Sequence, residues 1–254
     1  MGGRRPAAGA EVTEDALIGR RVRLRQPGRG YRVAVDPVLL AAAVPAGAGH
    51  RVLDLGTGVG AAALCLAVRV AGCRVTGLEL DPALARLANE NAALNGLSER
   101  VRVIAGDVRA PPAEFVAAGF DEVMLNPPHL AAAGAAPSPD PGKAAADVEG
   151  EGAELAVWLD QAHLMTRPRA GITVIHRAER LGELLAGLGG RAGDVRVFPL
   201  WPRADRPAKR VIVRARKGSA APLRLCPGLV LHGPDGRFTA PAEAVLRDGA
   251  GLAL

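Results

Sequence analysis

The tetrapeptide Asn126-Pro127-Pro128-His129 carries the most specific chemistry in this sequence. It follows an apolar run over 121–125 that reads as a strand. Two prolines stiffen the backbone and remove its donors, so the carbonyls are left pointing outward. The Asn126 carboxamide oxygen and the Pro127 carbonyl can then both accept from one –NH2 group. An aryl or amide nitrogen is a poor nucleophile, because its lone pair is delocalised into the ring or carbonyl. Two acceptors that hold the N–H bonds let the nitrogen move toward tetrahedral and turn its lone pair on an incoming methyl group. This is catalysis by position and electrostatics, with no prior deprotonation. A planar ring at His129 can stack on a base. The bland alternative is a rigid Pro-Pro turn.

A second feature lies upstream, in Val52-Leu-Asp-Leu-Gly-Thr-Gly-Val-Gly-Ala61. It reads as a buried strand, a tight turn and the start of an Ala/Leu-rich helix. Gly56, Gly58 and Gly60 let the backbone pass close to a ligand, and the helix start offers free N–H groups. The turn suits a nucleotide cofactor of unspecified kind, since Gly56-x-Gly58-x-x-Ala61 also fits a loose dinucleotide fingerprint. Asp54 sits two residues before Gly56. Glu79 ends the next strand, where a carboxylate can accept from two ribose hydroxyls. Asp107 follows the third strand and can accept from an adenine amino group; a helix-cap acid before Pro111 is the alternative.

These residues need a frame that brings strand ends together. The alternation supplies one. Strands are expected at 51–55, 74–80, 101–105 and 121–125. Helices are expected at 61–70, from the Asp81-Pro82 cap to Asn95-Gly96, and at 111–118. Strand and helix alternating at this spacing predict an α/β fold with a doubly wound, mostly parallel sheet. Ahead of it, Val22–Leu24 is a short strand, and Asp36-Pro37 caps a helix through Val44. After it come a helix over 151–165, a strand over 171–175 and a helix over 177–188. Strands at 195–200 and 210–213 form an antiparallel pair at the sheet edge, which makes seven strands in all. The tail holds a strand or hairpin arm at 223–231 and a helical turn at 243–247. Residues 1–12 read as disordered, 13–216 as the domain with a mobile loop at 130–150, and 217–254 as an extension packed on it.

The chain has 254 residues and a formal charge of +6. That balance is compatible with a nucleic-acid partner. Arg203, Arg206, Lys209 and Arg210 make a basic loop beside Trp201, and Lys143 adds a charge in the 130–150 loop. Merely solvated charge is the alternative. Cys65, Cys73 and Cys226 have no paired spacing and read as buried apolar residues. The other histidines form no metal pattern, and no G-x-S-x-G elbow is present. No signal peptide or membrane span is visible. The expectation is a cytoplasmic, monomeric protein without metal.

Together, the glycine turn, the acids and the tetrapeptide resemble the class I S-adenosylmethionine-dependent methyltransferases that methylate amino groups. The resemblance covers about Ala16 to Val213. It implies a Rossmann-like methyltransferase fold and S-adenosyl-L-methionine as cofactor. The glycine turn would hold the methionine moiety, Glu79 the ribose and Asp107 the adenine. Cofactor contacts also carry over to Thr57, Leu80, Val108 and Asn126. Two further stretches are similar to the bacterial tRNA(Val) adenine-N6 methyltransferases: 29–40, around Asp36, and 200–211, around Trp201. The resemblance implies that the Asp36 segment closes over the cofactor and that tRNA is the partner. The family's fourth tetrapeptide residue is usually Tyr or Phe, where this chain has His129. Similar tetrapeptides occur in glutamine N5-methyltransferases of release factors and guanine N2-methyltransferases of rRNA. A nicotinamide-dependent oxidoreductase and a non-catalytic RNA-binding protein of the same fold are the readings from other classes.

Overall fold

Apolar strands alternating with Ala/Leu-rich helices build one sheet with helices on both faces. The computed structural model describes residues 12–28, 32–128 and 155–254. His129, Lys143, the 130–150 loop and residues 1–11 lie outside the described residues.

The chain opens with an antiparallel hairpin, β1 (Val12–Leu17) and β2 (Val22–Pro27). The short strand expected at Val22–Leu24 is thus half of a pair that begins at Val12. Helix α1 (Asp36–Ala43) leads into β3 (Arg51–Leu55), α2 (Ala61–Arg69), β4 (Arg74–Glu79), α3 (Pro82–Leu94), β5 (Val101–Ala105) and β6 (Phe120–Leu125). After the undescribed segment come α4 (Leu155–Met165), β7 (Thr166–Arg177), a 3-10 turn (Ala178–Arg180), α5 (Leu181–Leu188), β8 (Ala192–Trp201) and β9 (Arg210–Lys217). Two-residue strands β10 (Arg224–Leu225) and β11 (Leu229–Val230) precede α6 (Ala240–Leu246).

The main sheet runs β10-β8-β9-β7-β6-β3-β4-β5, with β11 also on β8. Strands β3 to β7 pair in parallel. The antiparallel β9 lies between β7 and β8. The seven longer strands of this sheet lie where the sequence places them, with β7, β8 and β9 longer than expected; β9 is interior, and β8 bears the two short outer strands. The stretch 223–231 is no hairpin arm. Pro227 and Gly228, the latter at φ 84°, break it into two pieces that each pair parallel with β8.

The helix expected at 111–118 is absent. Pro111 and Pro112 cannot donate, and a single turn closes from the Phe115 N–H to the Pro112 carbonyl at 2.9 Å. So short a segment cannot repay helix nucleation. Its Phe115 is nevertheless buried.

One face of the sheet packs Val52, Met124 and Ile212 against α1 and α2; the other packs Leu53, Val123 and Ile172 against α4 and α5. Each fully buried leucine, such as Leu64 or Leu159, contributes about 2 kcal/mol of apolar burial. Helix α3 starts as expected: the Asp81 carboxylate accepts from the Ala83 N–H at 2.7 Å, with Pro82 in the first turn. Its asparagines also substitute for strand partners. Asn89 accepts from the Val103 N–H and donates to the Val103 carbonyl, covering the outer edge of β5. Asn91 and Asn95, one turn apart, do the same for Arg25 and Arg23 of β2. Asn91 also donates to the Val59 carbonyl at 3.0 Å, so the hairpin is anchored to the glycine turn.

Candidate active site at the carboxyl edge of the sheet

Register brings the chemical residues together. Leu55 pairs with Leu125, so Gly56 and Asn126 leave the sheet side by side. Leu55 also pairs with Leu78, and Glu79 with Ala105, so Leu80 and Asp107 emerge along the same edge. In an open parallel sheet this is the crevice where ligands bind.

The turn after β3 is bound to its neighbour by the backbone. Gly56 N–H and Thr57 N–H both donate to the Leu78 carbonyl, at 2.8 and 3.1 Å. Gly56 holds φ 69°, and a Cβ there would meet the Trp158 indole at 2.7 Å. Gly58 holds φ 56° and a Cβ on it would meet nothing within 4 Å. One glycine is therefore needed for packing against α4, and the other keeps an open approach for a ligand.

Glu79 is buried and ties the edge together. Its two oxygens accept from the Gly58 N–H at 2.8 Å and the Asp81 N–H at 3.0 Å. Burial pushes its carboxyl above the ordinary glutamate value. Each oxygen keeps a further lone pair for a hydroxyl donor. Leu80 beside it is 65% exposed, an apolar surface at the same edge. Val108 is buried in the core under this edge.

Asp54 and Asp107 differ from what their positions suggest. Asp54 is only 2% exposed and lies beneath the turn. It accepts from the Thr57 hydroxyl at 2.6 Å, and burial pushes its carboxyl up to about 7. It thus supports the turn from below. Asp107 is partly exposed and engaged by Arg109, whose Nη2 stands 2.7 Å from Oδ2. The hydrogen bond from Arg109 holds its carboxyl below the ordinary aspartate value. The helix-cap alternative is removed with the helix itself.

Asn126 is half-buried and Pro127 buried. The Asn126 Oδ1 atom is buried with no hydrogen-bond partner among the described residues. An orphaned buried acceptor costs about 1–3 kcal/mol unless a ligand donor meets it. Trp158, on the helix expected over 151–165, is a site neighbour that the motifs did not point to. Its ring packs on Gly56, and its Nε1–H is also buried with no partner among the described residues. Only its rarity as an aromatic signalled it.

Asp36 and Arg210, expected in separate roles, meet. Arg210 Nε donates to Asp36 Oδ2 at 2.9 Å across 174 positions. Val35 holds the N-cap position of α1 and Asp36 is its first helical residue, so the expected Asp36 cap is replaced by this ion pair. Arg177 pairs with Arg210 in the β7–β9 register, which places the start of β9 at the carboxyl edge as well. The loop between β8 and β9 lines a cavity of about 720 Å³ with Arg203, Arg206 and Lys209. His232 of the C-terminal extension closes it, stacked on Phe238 at 4.7 Å between ring centroids.

No group of His, Cys, Asp and Glu able to hold a metal occurs among the described residues. Nor is any helix there long and apolar enough to cross a membrane.

Comparison with known proteins follows this geometry. A family model described as a methyltransferase domain matches residues 52–136, from the glycine turn past the tetrapeptide. A tRNA1(Val) (adenine(37)-N6)-methyltransferase from Aeromonas hydrophila is 31% identical over 212 residues, covering 82% of this chain and 85% of its own. A release factor glutamine methyltransferase from Chlorobaculum tepidum is 39% identical over only 80 residues, 31% of this chain and 27% of its own. Among solved structures, one described as a predicted O-methyltransferase from Agrobacterium tumefaciens superposes with a TM-score of 0.72 at 26% identity, covering 86% of this chain and 99% of that one.

Proposed function

Since this chain belongs to the tRNA1(Val) (adenine(37)-N6)-methyltransferase family, we propose that it transfers the methyl group of S-adenosyl-L-methionine to the exocyclic amine of an adenine in tRNA. The observation that carries this reading is the orphaned Asn126 Oδ1 at the end of β6, beside Pro127 and next to the glycine turn. The residues present fit the cofactor: an open approach at Gly58, the spare lone pairs of Glu79 and the exposed Leu80. When bound, the cofactor supplies an electrophilic methyl on a sulfonium.

The chain's own contribution is to the amine. Asn126 Oδ1 and the Pro127 carbonyl accept its two N–H bonds and hold it against the glycine turn. The lone pair would then face the methyl group, and the proton of the methylated amine would pass to solvent. Asp107 reaches adenine only by sharing its carboxylate with Arg109. Asp36 acts at the entrance through its pair with Arg210. Arg203, Arg206 and Lys209 face the same edge and suit the phosphates of RNA. The family relatives do not favour the oxidoreductase or the non-catalytic reading, and the release-factor match covers too little of either chain to carry a protein target. The accompanying reading is a cytoplasmic monomer.

The test is transfer of labelled methyl from S-adenosyl-L-methionine to tRNA lacking the modification, with nucleoside analysis of the product. N6-methyladenosine in tRNA is expected. Cofactor binding with label only in protein or ribosomal RNA would overturn the substrate.

A further inference from the structure

The opposite end of the sheet carries a second constellation. Glu122 and Asn126 lie at opposite ends of the β6 region, about 13 Å apart along the strand. Around Glu122 is a cavity of about 520 Å³, between the starts of β6 and β7 and the end of β9. Five arginines line it, Arg167, Arg169, Arg196, Arg214 and Arg216, with two carboxylates, Asp121 and Glu122. Arg167 is paired with Asp121, Arg196 with Asp194, and Arg214 with Glu122. Arg169 and Arg216 remain as exposed positive charge at the mouth.

The floor is unusual. Glu122 and Arg214 are 6% and 7% exposed, with Arg214 Nη2 3.4 Å from Glu122 Oε1. Beside that one long contact, Glu122 Oε2 and Arg214 Nε are buried without partners among the described residues, and so is His50 Nδ1 on the same cavity. Gly171 makes room for the pair: a Cβ there would stand 2.2 Å from Glu122 Oε2 and 2.9 Å from Arg214 Nη2. A donor, an acceptor and surplus positive charge therefore converge on one space, at a cost that an occupant would offset.

The geometry points to a binding site for a protonated oxyanion of the phosphate class, free phosphate or a phosphate monoester, at the amino end of the sheet. Arg214 Nε, Arg169 and Arg216 would donate to its oxygens. Glu122 Oε2 would share one proton with it, which sulfate and phosphodiesters do not carry at neutral pH. Burial pushes the Glu122 carboxyl above its ordinary value despite Arg214, in keeping with a shared proton. The volume lies in the range of small-molecule pockets, so a nucleoside monophosphate also fits.

Calorimetric titration of the full chain tests this, with inorganic phosphate, a nucleoside monophosphate, sulfate and a short RNA at matched ionic strength near neutral pH. Phosphate or the monophosphate should bind at least about tenfold tighter than sulfate. Whichever of the two binds tighter identifies the source of the phosphoryl group. Arg216→Gln and Arg169→Gln should each weaken binding severalfold, and Glu122→Gln should erase the preference over sulfate. Because Glu122 is buried and its variant could fold poorly, the two exposed arginines keep the test decisive. Equal weak binding of phosphate and sulfate would overturn the site. So would RNA binding lost in the arginine variants with no phosphate binding in the parent.

Discussion

At the scale of single residues, the clearest contrast is between an acid that serves the fold and an amide held in reserve. Asn126 Oδ1 is buried with no partner among the described residues, so it is free to accept from an arriving donor. Asn126→Ala should lower methyl transfer by about a hundredfold or more while cofactor affinity changes little. Asn126→Asp keeps an acceptor and should retain more turnover than the alanine variant. Single-turnover kinetics beside calorimetry would separate these effects. Asp54 behaves differently. Burial raises its carboxyl from 3.8 to about 7, so the folded state holds a proton that the unfolded state releases. Its contribution to stability is full below the unfolded value and is lost as pH rises toward about 7. Asp54→Asn, which can still accept from Thr57, should therefore melt higher than the parent at about pH 8 and by a smaller margin at about pH 5. Equal melting differences at both pH values would remove this account.

At the scale of elements, α1 and β9 are joined by one ion pair. The Asp36 and Arg210 side chains are 15% and 32% exposed, so the pair is partly shielded from solvent. A double-mutant cycle of Asp36→Ala and Arg210→Ala in urea denaturation should return a coupling of about 1 kcal/mol. Zero coupling would mean that the two elements are held by their apolar contacts alone. The same pair links α1 to the start of β9 beside the basic loop, and neither partner's sequence neighbourhood hints at the other. The asparagines of α3 are a second example. Asn91 and Asn95 each satisfy the backbone of β2 through a side-chain amide, and so place a hairpin that pairs with none of the described strands of the main sheet.

For the whole molecule, the sheet has two chemically distinct ends. The carboxyl end gathers the glycine turn, Asn126 and the basic loop; the amino end gathers arginines around Glu122. If tRNA lies across the carboxyl end, replacing Arg203, Arg206 and Lys209 by alanine should weaken RNA binding uniformly across sequences. The salt dependence should fall by about 2–3 in log–log slope. Cofactor affinity should be unchanged. A filter-binding series over salt, run with and without the substitutions, measures this directly. An unchanged slope would move the RNA to another face.

Periodicity and punctuation by themselves determined the parallel half of the sheet, the helix caps at Asp81 and Thr57's glycine turn, and the tetrapeptide after β6. These are local properties: alternation, glycine spacing and prolines act on the residues that carry them. The expected helix at 111–118 failed because its apolar residues were outweighed by two prolines and a length of a single turn. Tertiary structure alone decided which acids face the crevice. Asp54 and Glu79 are both strand acids beside a turn, yet one is sealed beneath Thr57 while the other reaches the edge with lone pairs to spare. It also decided that β9 enters between β7 and β8, which brings Arg210 to Asp36 and carries Arg214 and Arg216 to Glu122. Such meetings depend on strand order and register, and residues far apart in the chain acquire partners only when the sheet closes between them.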